Sequence, residues 1–365
     1  MIRIAYDHQF FSTFRYSGVT RYFYEIVSRL INEQDVSLSL YMGFHINEFD
    51  FARFKNRYAH FFGYRRPVIP KTARLFNTIN DSLFPLFIKR AGPDIYHQTY
   101  YRLHLPGFRG KRVLTVYDMT GELFPDMFSR TDPVILEKQA SIRQADAIIA
   151  ISESTKNDII RLLSIPTEKI TVVYLANSLT ALPGSRSPHR GPFILYVGQR
   201  FLHKNFPVLL NAYCHSSRVN KEYGLVCFGG SPFTKEEEQI LAQHGLSGHA
   251  SHMCGSDDLL ATYYSHASLL VYPSLYEGFG LPLLESMHYG CPVVASNSSS
   301  LPEVGADACI YFDPTSTADL TDKMERALFD DSLRGIMIER GHAREKQFSW
   351  DRAARETLQV YKRIM

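Results

Sequence analysis

The stretch that most constrains the fold is residues 268–285. An apolar run, Ser268-Leu269-Leu270-Val271-Tyr272-Pro273, meets a glycine-rich turn and then a helix signal. Pro282 suits the first helical position, where its missing N–H would be an orphan anyway. Gly278 and Gly280 admit backbone conformations that a Cβ forbids and let the chain approach a ligand closely. The first amides of such a helix, at the positive end of its dipole, suit an anion. Glu277 precedes the helix and Glu285 is placed in its first turn. Carboxylates there are read as acceptors for sugar hydroxyls, so that one turn would hold both ends of a sugar nucleotide. The alternative is an ordinary strand-to-helix junction, with Glu277 solvated and Glu285 favouring the dipole.

Glu277-Gly278-Phe279-Gly280-Leu281-Pro282-Leu283-Leu284-Glu285 has seven residues between its glutamates. Gly290-Cys291-Pro292-Val293-Val294-Ala295 and Leu301-Pro302-Glu303-Val304 follow it. Together these resemble family 4 of the retaining glycosyltransferases, and the resemblance covers nearly the whole chain, most strongly the C-terminal half. It implies the GT-B fold, α/β with two Rossmann-like doubly wound domains facing a cleft. The N-terminal domain would take the acceptor and the C-terminal domain the donor, with closure excluding water. Arg200 and Lys204 match the family's donor-phosphate pair, Glu285 its ribose-binding glutamate, and Glu277 the one that holds the donor sugar. Gly198, Gly278, Phe279, Gly280 and Leu281 complete the donor side. The family's glycine-rich first loop falls at Gly18, here preceded by Ser17. A family histidine near the donor sugar is replaced by Tyr117, beside Asp118, on the acceptor side.

At 365 residues the chain has room for two domains, and 45% hydrophobic content supports a core in each. A net charge of +3 is too small to argue for nucleic acid. Five cysteines without close pairs or metal spacing read as reduced and buried. The N-terminus reads as a strand rather than a signal sequence, and no apolar run reaches spanning length. The expectation is a cytoplasmic protein, with peripheral contact at the inner face of the plasma membrane as an open question.

Ile2–Tyr6 reads as the first buried strand. A helix follows from Gly18 to about Leu30, with Val19, Tyr22, Phe23, Ile26, Val27 and Leu30 at helical period. Across residues 51–90, Arg53, Lys55, Arg57, Arg65, Arg66, Lys71, Arg74, Lys89 and Arg90 interleave with many Phe and Tyr. That pattern suits an anionic membrane surface, or equally a solvated helical face over core aromatics. Residues 94–97 and 113–118 read as parallel strands ending in polar residues, where ligands sit in open α/β sheets. Asp118 reads as an acceptor contact or as a turn cap, and Gly18 as a binding loop or a helix start. Residues 145–150 give a strand, Ser152 a cap for a helix to about Leu163, and residues 170–174 another strand.

The division expected is an acceptor domain over residues 1–178, a linker over 179–191 and a donor domain over 192–347. A terminal helix over 348–365 would return to the first domain. Residues 192–197 read as a strand ending in Gly198, after which Arg200 and Lys204 are assigned to a diphosphate, since Arg offers it bidentate geometry. Trp350 is read as a packing anchor.

The chain has no G-x-G-x-x-G after its first strand, no P-loop, no Gly-x-Ser-x-Gly and no zinc spacing. No Asp-x-Asp pair is placed to chelate a metal–nucleotide diphosphate. With those classes disfavoured, the resemblance implies a retaining, metal-independent hexosyltransferase without a cofactor. Its donor is a nucleoside-diphosphate sugar, GDP-mannose favoured, and its acceptor a glycan or a lipid-linked glycan in surface polysaccharide assembly. From the resemblance comes same-face attack, with the leaving phosphate oxygen taking the acceptor proton. A GT-B sugar-nucleotide epimerase, a phosphorylase and a non-catalytic nucleotide-sugar binding protein remain as alternatives.

Overall fold

The computed structural model describes residues 1–102, 105–129, 131–179, 186–200 and 202–365, with only the backbone of Leu202. Residues 180–185 of the expected linker, and Phe201, lie outside the described residues. The chain forms two units, Met1–Leu175 with Trp350–Met365, and Ala176–Ser349.

In the first unit, β1 (Ile2–Tyr6), β2 (Val36–His45), β3 (His60–Arg65), β4 (Ile95–Gln98), β5 (Lys111–Val116), β6 (Ala147–Ala150) and β7 (Ile170–Val172) form one parallel sheet. Its order is β3-β2-β1-β4-β5-β6-β7. In the second, β8 (Phe193–Val197), β9 (Gly224–Phe228), β10 (Ala250–Met253), β11 (Leu269–Tyr272), β12 (Val293–Ser296) and β13 (Cys309–Phe312) take the order β10-β9-β8-β11-β12-β13. Parallel neighbours need long crossovers, and helices between the strands supply them. Strands covered by helices on both faces carry unbroken apolar runs. So β8, Phe-Ile-Leu-Tyr-Val, and β11, Leu-Leu-Val-Tyr, are buried at every residue. Each sheet reverses its winding once, between β1 and β4 and between β8 and β11. Loops leave such a switch point in opposite directions, which opens a crevice at the carboxyl ends of the strands.

Helix starts follow the sequence closely. Ser17 caps Gly18–Leu30 through a reciprocal box with Thr20, and Ser152 caps Glu153–Leu163. The terminal helix Trp350–Arg363 is joined to the first sheet by a buried polar network. The Tyr361 hydroxyl lies 2.9 Å from that of Tyr6 and 2.6 Å from His97 Nδ1. His97 Nε2 is 2.9 Å from Thr115 Oγ1. Trp350 is buried with its ring 6.3 Å from that of Tyr22.

Residues 51–90 hold β3 and the helix Ala73–Ala91, and Phe51, Tyr58 and Phe84 are core residues, as the reading of a solvated face over core aromatics has it. Just past β3 the Arg66 amide bonds to the His45 carbonyl, and the Arg66 side chain turns inward, its guanidinium 4.5 Å over the Phe76 ring. One sequence expectation needs correction here: the cysteines are not all buried, since Cys254 lies exposed just beyond β10 on the sheet edge. No helix among the described residues is long and apolar enough to cross a membrane.

Candidate active site

At the second unit's switch point, the loops after β8 and β11 lie side by side. Gly198 leaves β8 at φ 134°, and a methyl group there would have open space within 4 Å. A short turn, Leu202–Lys204, follows, and Asn205 takes a left-handed φ of 54° before the helix Phe206–His215. After β11 the chain runs through Glu277 to Gly280, at φ 105°, where a Cβ would come within 2.7 Å of Leu301 Cδ2. Glycine is therefore required at position 280 on two counts. A backbone bond from Leu275 N to His203 O, 2.8 Å, ties the two loops together.

This tie brings the Lys204 ammonium to 2.7 Å from Glu277 Oε1, with the side chains 20% and 12% exposed. Tyr272, at the end of β11, has its phenol pushed well above the usual range, by burial first and then by the Glu277 carboxylate. Three serines, one ending β12 and two after it, brace the turn. The Glu277 amide donates to Ser299 Oγ at 2.8 Å. The Ser300 hydroxyl donates to the carbonyls of Glu277 and Phe279 at 2.9 and 2.8 Å, and Ser296 Oγ donates to Ser274 O. The sequence motifs on either side of these serines do not include them. Their only signal was a run of small hydroxyl residues after a buried strand.

The helix opens at Leu281 with Gly280 as its N-cap and no side chain capping it. Glu285 is the fifth residue of Leu281–His288 and so lies beyond the first turn, which has no acidic residue. This corrects the expected first-turn placement. The Glu285 carboxylate is buried and accepts from the Tyr264 hydroxyl at 2.9 Å. Phe279 packs inward, edge-on to Phe348 at 5.9 Å. Leu281 is half-buried at the helix start.

Arg200 sits differently from Lys204. Its side chain is 6% exposed, and Nε bonds to Glu237 Oε1 at 3.0 Å. Nη2 donates to the carbonyls of Ser231 and Pro232. Phe206 and Phe233 lie 5.3 and 5.0 Å from the guanidinium carbon. Only Nη1 lacks a partner. Glu237, which also forms a capping box with Thr234, was missed because 37 residues separate it from Arg200.

In the first unit, Gly18 is the opening residue of a capped helix. Asp118 accepts from the Thr120 amide at 2.9 Å, as a turn cap does, and its carbonyl accepts from Lys138 at 3.2 Å. The Tyr117 ring packs edge-on to Phe10 and Tyr22, and its buried hydroxyl has no partner. Asp7, unremarked in the sequence, is the hub of this switch point. Fully buried after β1, it accepts from the Tyr96 hydroxyl at 2.5 Å, the Thr99 amide at 3.1 Å and the Thr99 hydroxyl. The Gln9 amide and side chain add 3.0 and 2.9 Å contacts. Beside it His8, 3.2 Å from Asp81, lines a cavity of about 220 Å³ with Gln9, Ser12, Tyr100 and Arg102. Among the described residues no three His, Cys, Asp or Glu side chains cluster as a metal site would require.

Residues 16–176 match the family model described as Glycosyltransferase Family 4, and residues 179–344 that described as Glycosyl transferases group 1. The O-antigen chain mannosyltransferase B of Escherichia coli is 33% identical over 285 residues, covering 73% of this chain and 74% of that protein. The serotype-specific mannosyltransferase WbdA of Escherichia coli is 30% identical over 248 residues, 63% of this chain but only 30% of WbdA. Among solved structures, sucrose-phosphate synthase from Thermosynechococcus elongatus superposes with a TM-score of 0.77 at 19% identity, covering 100% of this chain and 99% of its own. WaaG, a glycosyltransferase involved in lipopolysaccharide biosynthesis, gives 0.73 at 16% identity, covering 98% and 99%.

Proposed function

The chain belongs to glycosyltransferase family 4, with that family's two Rossmann-like units of the GT-B fold, and on that premise we propose the reaction it performs. It moves a hexose, mannose favoured, from a nucleoside-diphosphate sugar to a hydroxyl of a glycan or lipid-linked acceptor, with retention at the anomeric carbon and without a metal. GDP-mannose is the favoured donor, in keeping with the mannosyltransferase names of its relatives. Those names also support a place in surface polysaccharide assembly. The observation that carries the reading is the Lys204–Glu277 pair at the switch point, one cation and one carboxylate held by opposite loops of the crevice.

The two side chains divide the donor between them. Lys204 faces the diphosphate, and Glu277, released from the lysine as phosphate arrives, accepts from the sugar's hydroxyls. As the bond from C1 to the phosphate oxygen breaks, its electron pair stays on the phosphate. The lysine charge and the amides at the start of Leu281–His288 stabilise that developing charge. The acceptor oxygen bonds to C1 on the same face, and its proton passes to the leaving phosphate oxygen. Glu285, fixed by Tyr264, takes the ribose hydroxyls. Arg200 has Nη1 to offer a phosphate while Glu237 keeps its other edge. The first unit takes the acceptor, and peripheral contact with an anionic membrane is proposed for its exposed Val68, Ile69 and Leu75, close in the chain to Lys71 and Arg74.

Transfer from GDP-mannose to an oligomannoside, followed by nuclear magnetic resonance of the anomeric proton, tests this reading. The expected product is the α-linked sugar, formed at an equal rate with excess EDTA. An inverted anomer, or activity abolished by the chelator and restored by Mg²⁺ or Mn²⁺, contradicts it.

A further inference from the structure

The carboxyl ends of β1, β2 and β3 gather an arginine cluster that the reaction above does not use. Arg15, Arg65 and Arg66 line a cavity of about 280 Å³ together with Ile46, Pro67 and Val68. Among the described residues a single carboxylate serves the cluster. Glu48 Oε1 lies 2.9 Å from Arg65 Nη2 and 3.4 Å from Arg15 Nε, while Oε2 accepts from the Tyr16 hydroxyl at 3.0 Å. Three guanidiniums against that one carboxylate leave an excess of positive charge. Arg66 carries most of the cost. It is 6% exposed, forms no ion pair among the described residues, and its Nε has no hydrogen-bond partner. Its one polar side-chain contact is Nη1 to the Pro67 carbonyl at 3.2 Å. A buried guanidinium without a counter-charge is expensive, and burial draws the Arg66 pKa below its ordinary value. Neighbouring His45, held by burial at about 4, is neutral and adds no further positive charge.

We propose that this cavity is a phosphate subsite, which grips a phosphate or diphosphate carried by the acceptor. The anion supplies the charge that Arg66 lacks, and paired guanidiniums match phosphate oxygens bidentately. The cavity opens at the edge of the sheet where ligands bind in this architecture. Val68 in its lining is exposed, as are Tyr64 and Ile69 close by in the chain, which suits an acceptor whose phosphate joins a glycan to an aliphatic chain. Assigning the anion to the acceptor rests on the reading of the first unit given above; the anion site itself does not.

Inorganic pyrophosphate is the probe, titrated by calorimetry at low salt into the full chain carrying Lys204→Ala, so that donor-side uptake is weakened. Saturable binding is expected. Adding Arg15→Ser and Arg65→Ser should weaken it by about tenfold or more, the worth of one good charged contact. Adding Glu48→Gln instead should tighten it severalfold, because the competing carboxylate is gone, an effect no purely structural role produces. Equal melting temperatures confirm that the variants fold. No uptake by the parent, or equal affinity in all three proteins, overturns the subsite. Arginine-dependent binding to phosphatidylglycerol vesicles without pyrophosphate uptake assigns the cluster to a membrane headgroup and overturns it too. Pyrophosphate uptake requires no sugar transfer, so failure here leaves the donor-side reading standing.

Discussion

Replacing Lys204 by alanine is expected to lower kcat/KM for sugar transfer about a hundredfold, equivalent to roughly 3 kcal/mol of transition-state stabilisation. The pair geometry explains the size. Lys204 is held at 2.7 Å from Glu277 before any substrate arrives, in a crevice where both side chains are largely shielded. A charge fixed there is worth more than one in water and needs no reorganisation as the phosphate oxygen becomes anionic. The diphosphate already carries charge when bound and gains more as C1–O breaks, so the loss should fall on both KM and kcat. The variant also leaves Glu277 without its cation, so thermal stability must be measured alongside the rate. Unchanged kinetics would remove Lys204 from the diphosphate.

The second large effect is on stability. Acidification from about pH 7.5 to about pH 5 is expected to cost the first unit roughly 4 kcal/mol, shared by His97 and His45. Burial holds His97 at about 3 and is the first cause that holds His45 at about 4, both depressed from 6.5. A depressed histidine contributes stability that is complete above its unfolded pKa and is lost as pH falls towards the folded one. Each therefore removes about 1.4 kcal/mol per pH unit below 6.5, or some 2 kcal/mol by pH 5. Urea unfolding of wild type and His97→Asn at both pH values checks the sign and the share. The variant should lose about 2 kcal/mol less than wild type on acidification. Equal losses would mean that the folded protein protonates His97 as readily as the unfolded chain does.

The fold was legible where one local rule decides it. A short apolar run such as Leu269-Leu270-Val271, bounded by Pro273, fits a strand covered on both faces, and Ser17 and Ser152 announce helices by accepting from the amide three residues on. What stayed hidden depends on contacts between distant residues. Arg200 and Lys204 look alike in sequence, four positions apart after one strand. Yet Glu237 claims the first and Glu277 the second. Arg65 and Arg66 are adjacent, but the chain turns past β3 so that one meets Glu48 and the other faces Phe76. Asp7 carries no motif; its five donors come from residues 9, 96 and 99, assembled only when β1 and β4 pair. Glu285 was placed one turn too early because Pro282 marks a helix start without fixing how far the next carboxylate lies from the free amides.

Calorimetric titration of a panel of GDP-, UDP- and dTDP-sugars into the wild-type protein and Glu285→Ala decides whether the loops after β8 and β11 form a nucleotide-sugar site. Saturable binding of at least one donor is expected, with the GDP sugar tightest. Glu285→Ala should bind it about tenfold more weakly, the worth of one charged hydrogen bond to a ribose hydroxyl. Absence of binding across the panel, or equal affinity in the variant, would contradict a nucleotide-sugar site there.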